Sequence, residues 1–206
     1  LQPGHTFVIT SALPKEGKSF LATNLAASFA RHHYRTLLVD CDFRRPTVGP
    51  ELKDKLQDKL SSDYTPHQPV TIAPNLDVLP LSQSTQEATE LIESKEFRHS
   101  MENFKSSYDI LIIDTPPSAL FPDAGLVANF AHHLIFLTQL NKHRKAALKA
   151  VLNRLDQSEA TILGVVVNKV SGTKSRNLGA YRFAKYGKYK SYYPTKTKAE
   201  APPTPS

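Results

Sequence analysis

The sequence predicts an α/β fold with a doubly wound, mostly parallel sheet and helices on both faces. Short apolar runs alternate along the chain with segments of helical periodicity, which is typical of strands and helices in alternation. The runs are nearly continuous Val, Ile and Leu, as in parallel strands that are covered on both faces. Acidic residues follow two of the runs, at the strand ends where open α/β sheets bind their ligands.

The strands are predicted from the apolar runs in chain order. They are Thr6–Thr10, Thr36–Asp40, Leu76–Leu79, Ile110–Asp114, Leu134–Thr138 and Ile162–Asn168. Helices are predicted where apolar residues recur at helical spacing. They are Lys18–His32, Glu87–Phe104 and Lys142–Leu155. The polar segment 47–74 is predicted to be a surface excursion with a short helix at Glu51–Leu60.

The positive charge of the chain is concentrated near its C-terminal end. The formal net charge is +7, yet residues 1–172 carry equal numbers of basic and acidic residues, and residues 173–199 carry eight Lys and Arg and no acid. The apolar pattern also stops after Val170. We therefore expect one domain at 1–172 and a flexible basic tail at 173–206. A basic nucleic-acid-binding domain is a poor description of this chain.

The first predicted strand runs directly into a phosphate-binding loop and then a helix. Residues 12–19 are Ala-Leu-Pro-Lys-Glu-Gly-Lys-Ser, which is the P-loop pattern with Ala12 in place of its first glycine. Backbone N–H groups and the Lys18 ammonium would bind the β- and γ-phosphates, and the Ser19 hydroxyl would ligate Mg²⁺. The predicted nucleotide contacts are Ala12, Pro14, Lys15, Glu16, Gly17, Lys18, Ser19 and Phe20. The alternative is a charged turn with a chance Gly-Lys-Ser.

Three carboxylates are predicted to reach the same edge of the sheet as this loop. Asp40 and Asp42 follow the second strand, and Asp114 ends the fourth. Asp114 stands where P-loop NTPases hold Mg²⁺. Of Asp40 and Asp42, one can tune the metal and the other can accept a proton from an incoming hydroxyl. The alternatives are a strand-end cap for Asp114 and a solvated turn for the pair.

Two further groups near these motifs have open interpretations. Arg44 and Arg45 could steady a transferred phosphate or form surface ion pairs. Cys41 is the only cysteine, which excludes a disulfide framework and a cysteine zinc site. We expect its thiol to fill space at the strand end rather than to react.

A cluster of tyrosines lies in the predicted tail among Lys and Arg. Its members are Tyr181, Tyr186, Tyr189, Tyr192 and Tyr193. One alternative is a tail that packs on the domain. Another is that the basic residues and aromatics stack on single-stranded nucleic acid, but nothing else in the chain supports that function. We predict that these phenols are phosphoacceptors. Each phosphate would add about −1.5 to −2 charge, so that full modification would roughly cancel the charge of the tail.

The motifs, in this order, resemble those of the bacterial tyrosine kinases that accompany capsule and exopolysaccharide export. Residues Ala12–Ser19 resemble their Walker A, Leu37–Pro46 (with Asp-x-Asp-x-Arg-Arg-Pro) their Walker A′, and Ile110–Pro117 (Ile-Leu-Ile-Ile-Asp-Thr-Pro-Pro) their Walker B. The likeness extends over residues 5–193. It implies a P-loop NTPase-type fold, ATP and Mg²⁺ as cofactors, and phosphorylation of the tail tyrosines in trans between subunits.

The resemblance also implies roles for single residues. Lys18, Asp40, Asp42 and Asp114 would be catalytic, with Asp40 as base, although the sequence does not separate it from Asp42. The metal ligands would be Ser19, Asp42 and Asp114. Asn168 would contact adenine, or else cap a loop.

The expected partners are other copies of the chain and an activating membrane co-polymerase, fused or separate. Other proteins phosphorylated on tyrosine are also expected as substrates. The chain itself is expected in the cytoplasm, at the inner face of the cell membrane, where its activator or a fused membrane domain would hold it. The alternatives are a ParA- or MinD-like ATPase switch and a non-catalytic ATP-binding scaffold.

Overall fold

The structure is a computed structural model that describes residues 4–44, 68–80 and 87–170. In chain order its helices and strands are β1 (His5–Ser11), α1 (Lys18–Arg31), β2 (Thr36–Asp40), β3 (Val70–Ala73), β4 (Leu76–Leu79), α2 (Ala88–Glu93), α3 (Lys95–Ser107), β5 (Ile110–Asp114), α4 (Asp123–Ala128), β6 (His133–Gln139), α5 (Lys145–Leu155) and β7 (Thr161–Asn168). The chain divides into two units at Lys169 and Val170. Arg45, the segment Glu51–Leu60 and the tail tyrosines lie outside the described residues, so the predictions about them remain predictions.

The described strands form one sheet in the order β3-β4-β2-β5-β1-β6-β7. All neighbours are parallel except β3 and β4. Strand β5 lies between β2 and β1, so the carboxyl ends of these three strands are adjacent. The next strand along the chain, β6, lies on the other side of β1. This reversal of strand order beside β1 is where doubly wound sheets bind ligands, and the predicted fold class is confirmed.

The core lies on both faces of the sheet because successive residues of each strand point to opposite sides. On one face Phe7 and Ile9 of β1 pack with Ala22 and Ala26 of α1. On the other face Val8 belongs to a second apolar cluster. That cluster takes its helical members from α2, α3, α4 and α5: Ala88, Ile92, Met101, Ala124, Val127 and Leu155. The predicted arrangement of helices on both faces is therefore observed.

The structure corrects several predicted elements. Strand β3 was predicted as part of a surface excursion, but it pairs antiparallel with β4 through a turn at Asn75, whose φ is 60°. Helix α4 was not predicted, and it has only six residues. The predicted helix Glu87–Phe104 is two helices. Ser94 divides them with an extended backbone (φ −62°, ψ 152°), and its hydroxyl accepts the Phe97 N–H at 3.1 Å as the cap of α3.

Strand β7 departs from the expectation that every strand is covered on both faces. It is an edge strand that pairs with β6. Leu163, Val165 and Val167 are 54%, 47% and 41% exposed. A continuous run of Val therefore occurs in an edge strand here. Residue type alone does not distinguish an edge strand from a central strand. Among the described residues, no helix combines the length and the apolar character that a bilayer crossing needs.

Candidate active site

The phosphate loop joins the buried end of β1 to the first turn of α1. Lys15 and Gly17 have positive φ values of 64° and 106°, whereas Ala12 does not. Ala12 is 3% exposed and lies in the core, so its methyl group is accommodated where the P-loop pattern has its first glycine. Gly17 is needed, since a Cβ there would lie 2.4 Å from the Asn168 amide nitrogen.

The segment after β5 is hydrogen-bonded to the end of β1 and the start of this loop. The Ser118 N–H donates to the Ser11 carbonyl at 2.8 Å, and the Ala119 N–H donates to the Ala12 carbonyl at 3.2 Å. The Thr10 hydroxyl donates to the Pro116 carbonyl at 2.9 Å. The phosphate loop and the end of the Asp114 strand are therefore one hydrogen-bonded unit.

Asp114 lies at the centre of the site with a buried carboxylate. It is the last residue of β5 and is 4% exposed. The pKa of Asp114 is raised to about 7, mainly by burial and also by the negative charge of Asp42, although the Ser19 hydroxyl and the Lys18 ammonium beside it act to lower it. One carboxylate oxygen, Oδ1, is buried without a hydrogen-bond partner. Such an oxygen is costly unless a cation or donor meets it.

Asp40 and Asp42 approach Asp114 from the neighbouring strand. Asp40 ends β2, and its Cα is the register partner of Asp114. The Asp40 Oδ1 accepts the Asp42 N–H at 3.0 Å, and the Cys41 N–H donates to the Asp114 carbonyl at 2.8 Å. Asp40 is 2% exposed, whereas Asp42 is half-buried. The three predicted carboxylates and Lys18 therefore meet at one edge of the sheet, and their chemical roles remain predictions.

Two neighbours of these acids have structural functions. The Cys41 thiol is fully buried, and burial together with the nearby Asp40 and Asp114 raises its pKa well above the usual value, as expected for an unreactive filler. Arg44 binds the fully buried Asp123 through two hydrogen bonds, Nε to Oδ2 at 2.9 Å and the second guanidinium nitrogen to Oδ1 at 3.1 Å. Of the two interpretations of Arg44, the ion pair is the one observed, and the pair is partly buried.

Asn168 contacts the phosphate loop, which the sequence did not predict. Its amide nitrogen donates to the Glu16 carbonyl at 2.8 Å, and its Oδ1 accepts the Lys169 N–H at 2.8 Å. The Lys169 ammonium donates to the Lys15 carbonyl. The end of β7 therefore holds the loop backbone in place. Adenine contact by Asn168 remains a prediction.

The surroundings of Glu16 could not be predicted from the sequence. It is 0% exposed, and its carboxylate contacts His143 at 2.6 Å. His143 lies between β6 and α5 and carries no motif signal. By contrast Pro14, Lys15 and Phe20 are exposed, Phe20 by 61%. The loop therefore has one inward-facing acid among solvent-facing neighbours.

The donor set fits Mg²⁺ bound together with a phosphate. Asp114 has an unpartnered oxygen beside the Ser19 hydroxyl and near Asp42, and hard oxygen donors of this kind suit Mg²⁺. Among residues 4–44, 68–80 and 87–170, no three His, Cys, Asp or Glu side chains are arranged to hold a metal by themselves. The remaining ligands would be water and phosphate oxygens, which is how Mg²⁺ is commonly bound in nucleotide sites.

Comparison with known proteins agrees with this geometry. Residues 7–190 match the family model described as the CobQ/CobB/MinD/ParA nucleotide binding domain. Tyrosine-protein kinase CpsD of Streptococcus agalactiae serotype Ia is 32% identical over 170 residues, covering 79% of this chain and 73% of CpsD. EpsB of Ralstonia nicotianae is 30% identical over 205 residues, covering 94% of this chain. This chain spans 27% of EpsB, or about a quarter of that protein's length.

A solved structure shows the same fold. The crystal structure of the chimerical protein CapA2B2 superposes with a TM-score of 0.71 at 31% identity, covering 81% of this chain and 76% of that one.

Proposed function

Because the chain belongs to the bacterial tyrosine-protein kinases within the CobQ/CobB/MinD/ParA nucleotide-binding family, we propose that it transfers the γ-phosphate of MgATP to tyrosine. The acceptors that we propose are the tail tyrosines predicted above, reached in trans between two copies. The observation that carries the proposal is the register of Asp40 with Asp114 beside Lys18 and Ser19. This arrangement supports the proposal because the carboxylates proposed to bind the metal and to accept the proton lie beside the loop proposed to bind the phosphates.

The residues of the site have separate proposed roles in this reaction. Lys18, at 7% exposure, neutralises charge on the β- and γ-phosphates from the first turn of α1. Ser19, Asp42 and Asp114 hold Mg²⁺. The bound metal neutralises charge that develops on the transferred phosphate. Catalysis of this kind is mostly positioning and electrostatic stabilisation, which suits side chains fixed at the ends of buried strands.

Asp40 is the proposed base for the tyrosine hydroxyl. Its Oδ1 accepts the Asp42 N–H, which fixes the direction of the carboxylate. A base must come within hydrogen-bond reach of the proton that it accepts. Asp42 is the more exposed of the two and is the alternative base. Comparison of Asp40→Asn with Asp42→Asn identifies which of the two residues is the base. Loss of the base slows phosphoryl transfer without abolishing Mg²⁺-dependent nucleotide binding.

The proposed cellular location and partners of the domain follow from its family. We place the domain in the cytoplasm at the inner face of the cell membrane, activated by a membrane co-polymerase that is fused or separate. Its copies assemble through the basic tail, and phosphorylation of the tail loosens the assembly because the added negative charge offsets the positive charge of its Lys and Arg residues. Other proteins phosphorylated on tyrosine are further proposed substrates.

Mapping of phosphate by mass spectrometry after incubation with MgATP tests the proposal. The proposal predicts phosphate on residues 181–193, lost in Lys18→Met and strongly reduced in Asp40→Asn. Release of free phosphate without phosphotyrosine would instead establish a MinD- or ParA-like ATPase switch. Nucleotide binding with neither product would establish a scaffold.

A further inference from the structure

A carboxylate lies buried inside the loop that is to bind negatively charged phosphates. Glu16 is 0% exposed, although Pro14 and Lys15 on the same loop are exposed. Burial of a carboxylate without partners is strongly unfavourable, and a negative charge near a phosphate site also repels the ligand. The side chain must therefore be satisfied by partners inside the protein.

Three donors converge on the two carboxylate oxygens of Glu16. Oε2 accepts the Leu13 N–H at 2.9 Å, which closes the loop on itself across three residues. Oε1 lies 2.6 Å from the His143 Nε2 and 3.3 Å from the Gln139 backbone nitrogen, whose N–H donates to it. An ionised Glu16 carboxylate can only accept, and with Glu16 in that form His143 donates its Nε2–H to Oε1.

His143 holds Glu16 from an element that is distant in sequence. It lies in the segment between β6 and α5, and its side chain is 9% exposed. The carbonyls of Lys15 and Glu16 are held from the other side by Lys169 and Asn168. The loop is thus tied to the ends of β6 and β7, and the Glu16 side chain links it to Gln139 at the end of β6 and to His143 in the following segment.

We propose that His143 is a positioning residue for nucleotide binding, because it fixes the Glu16 carboxylate that shapes the phosphate loop. A loop already in its binding conformation loses less conformational freedom when the ligand binds, so affinity is higher. Without the His143 donor, a buried oxygen of Glu16 loses its shortest hydrogen bond and the loop relaxes to satisfy it. The expected consequence is weaker binding of nucleotide in the ground state, which does not depend on phosphoryl transfer.

The test compares two amide substitutions that differ in reach. His143→Gln places a donor nitrogen as many bonds from Cβ as Nε2, whereas the His143→Asn nitrogen is one bond shorter. The dissociation constant for MgADP is measured by titration calorimetry on the full chain. We expect His143→Asn to raise this constant about tenfold, which corresponds to about 1.4 kcal/mol, and His143→Gln to raise it by about threefold or less.

A double variant tests whether His143 acts through Glu16. If it does, adding His143→Asn to Glu16→Gln weakens MgADP binding no further than Glu16→Gln alone. The matched control is His99→Asn on the exposed surface of α3, which should leave the dissociation constant unchanged. Melting temperatures without nucleotide identify any variant that is simply less stable.

Each result decides the inference. Equal affinities for His143→Asn, His143→Gln and the wild-type chain overturn it while leaving the proposed kinase activity intact. Additive losses in the double variant overturn the action through Glu16. A wild-type chain that binds no MgADP contradicts the proposed function and this inference together.

Discussion

Asp40 and Asp114 are register partners at the last residues of two adjacent parallel strands. Neighbouring strands lie about 4.8 Å apart, so two buried carboxylates are brought close together. Like charges at this distance are unfavourable unless a cation offsets them. Lys18 supplies one positive charge nearby, and the unpartnered Oδ1 of Asp114 leaves an acceptor for a second. This relationship explains why the edge should bind a metal-bound nucleotide.

The first prediction concerns Asp114→Asn. The substitution removes the charge that attracts the metal but keeps the size of the side chain, so the domain should fold. We expect Mg²⁺ to increase ADP affinity in the wild-type chain by about tenfold or more, a difference of about 1.4 kcal/mol, and to have almost no effect in the variant. Titration calorimetry with Mg²⁺ and with EDTA measures both. An unchanged response to Mg²⁺ would remove Asp114 from the metal site.

The second prediction concerns the Arg44–Asp123 pair. Because Asp123 is fully buried, Arg44→Met leaves an uncompensated charge and should lower the free energy of unfolding by about 3 kcal/mol. Combining it with Asp123→Asn should recover part of that loss. The control is Arg35→Met, since the Arg35 side chain is 58% exposed in its pair with Asp109, and this substitution should lower the free energy of unfolding much less than Arg44→Met.

Urea denaturation measures the free energy in each of these variants. Equal losses for Arg44→Met and Arg35→Met would contradict the structural importance assigned to the buried pair.

The third prediction concerns Gly17. In Gly17→Ala, alanine must adopt a φ of 106°, and its Cβ would collide with the side-chain amide of Asn168. The backbone strain alone is about 1–2 kcal/mol, and the loop must also move, so MgADP binding should weaken strongly. Gly125→Ala is the control, since nothing lies within 4 Å of a Cβ there. Combining Gly17→Ala with Asn168→Ala should lose less affinity than the sum of the single changes, because the collision is removed.

The fourth prediction concerns pH and three histidines at the opposite, amino end of the strands. The rings of His5, His132 and His133 lie 5.2–6.3 Å apart by their centroids. Burial is the first cause that lowers the pKa of His5 and of His132, and the neighbouring imidazoles lower both further. Around His132, Lys105 adds to the lowering and Glu102 opposes it.

Because the unfolded chain then binds protons more readily than the folded one, stability should fall as pH falls below about 6.5. Urea denaturation at several pH values measures this. His132→Asn, which retains an acceptor near the position that takes the Thr6 N–H, should reduce the slope below pH 6.5. A slope unchanged by this substitution would contradict the assignment.

Much of the fold could be predicted because period and composition are local properties. The apolar runs at β1, β2 and β5 are buried throughout or nearly so, and the motifs follow them directly. The convergence of Lys18 with the three acids followed from a general rule about strand ends. Strand β3 was missed because it is short and antiparallel, and its pairing depends on the turn at Asn75.

Other features depend on contacts between distant parts of the chain. The exposure of β7 depends on its place in the strand order, and the burial of Glu16 depends on His143, 127 residues away in sequence. The bond from Asn168 to the Glu16 carbonyl joins residues 152 apart. Neither periodicity nor a motif indicates such contacts. The phosphate loop could therefore be predicted from the sequence, but the residues that stabilise it could not.

A mixing experiment distinguishes phosphoryl transfer between two copies of the chain from simple hydrolysis of ATP. A Lys18→Met chain with an intact tail serves as acceptor, and a chain whose five tail tyrosines are changed to Phe serves as the active donor, with MgATP present. If transfer occurs between two copies, we expect phosphotyrosine within residues 181–193 of the Lys18→Met chain only when the donor is present. Consumption of ATP to free phosphate with no phosphotyrosine on either chain would contradict it.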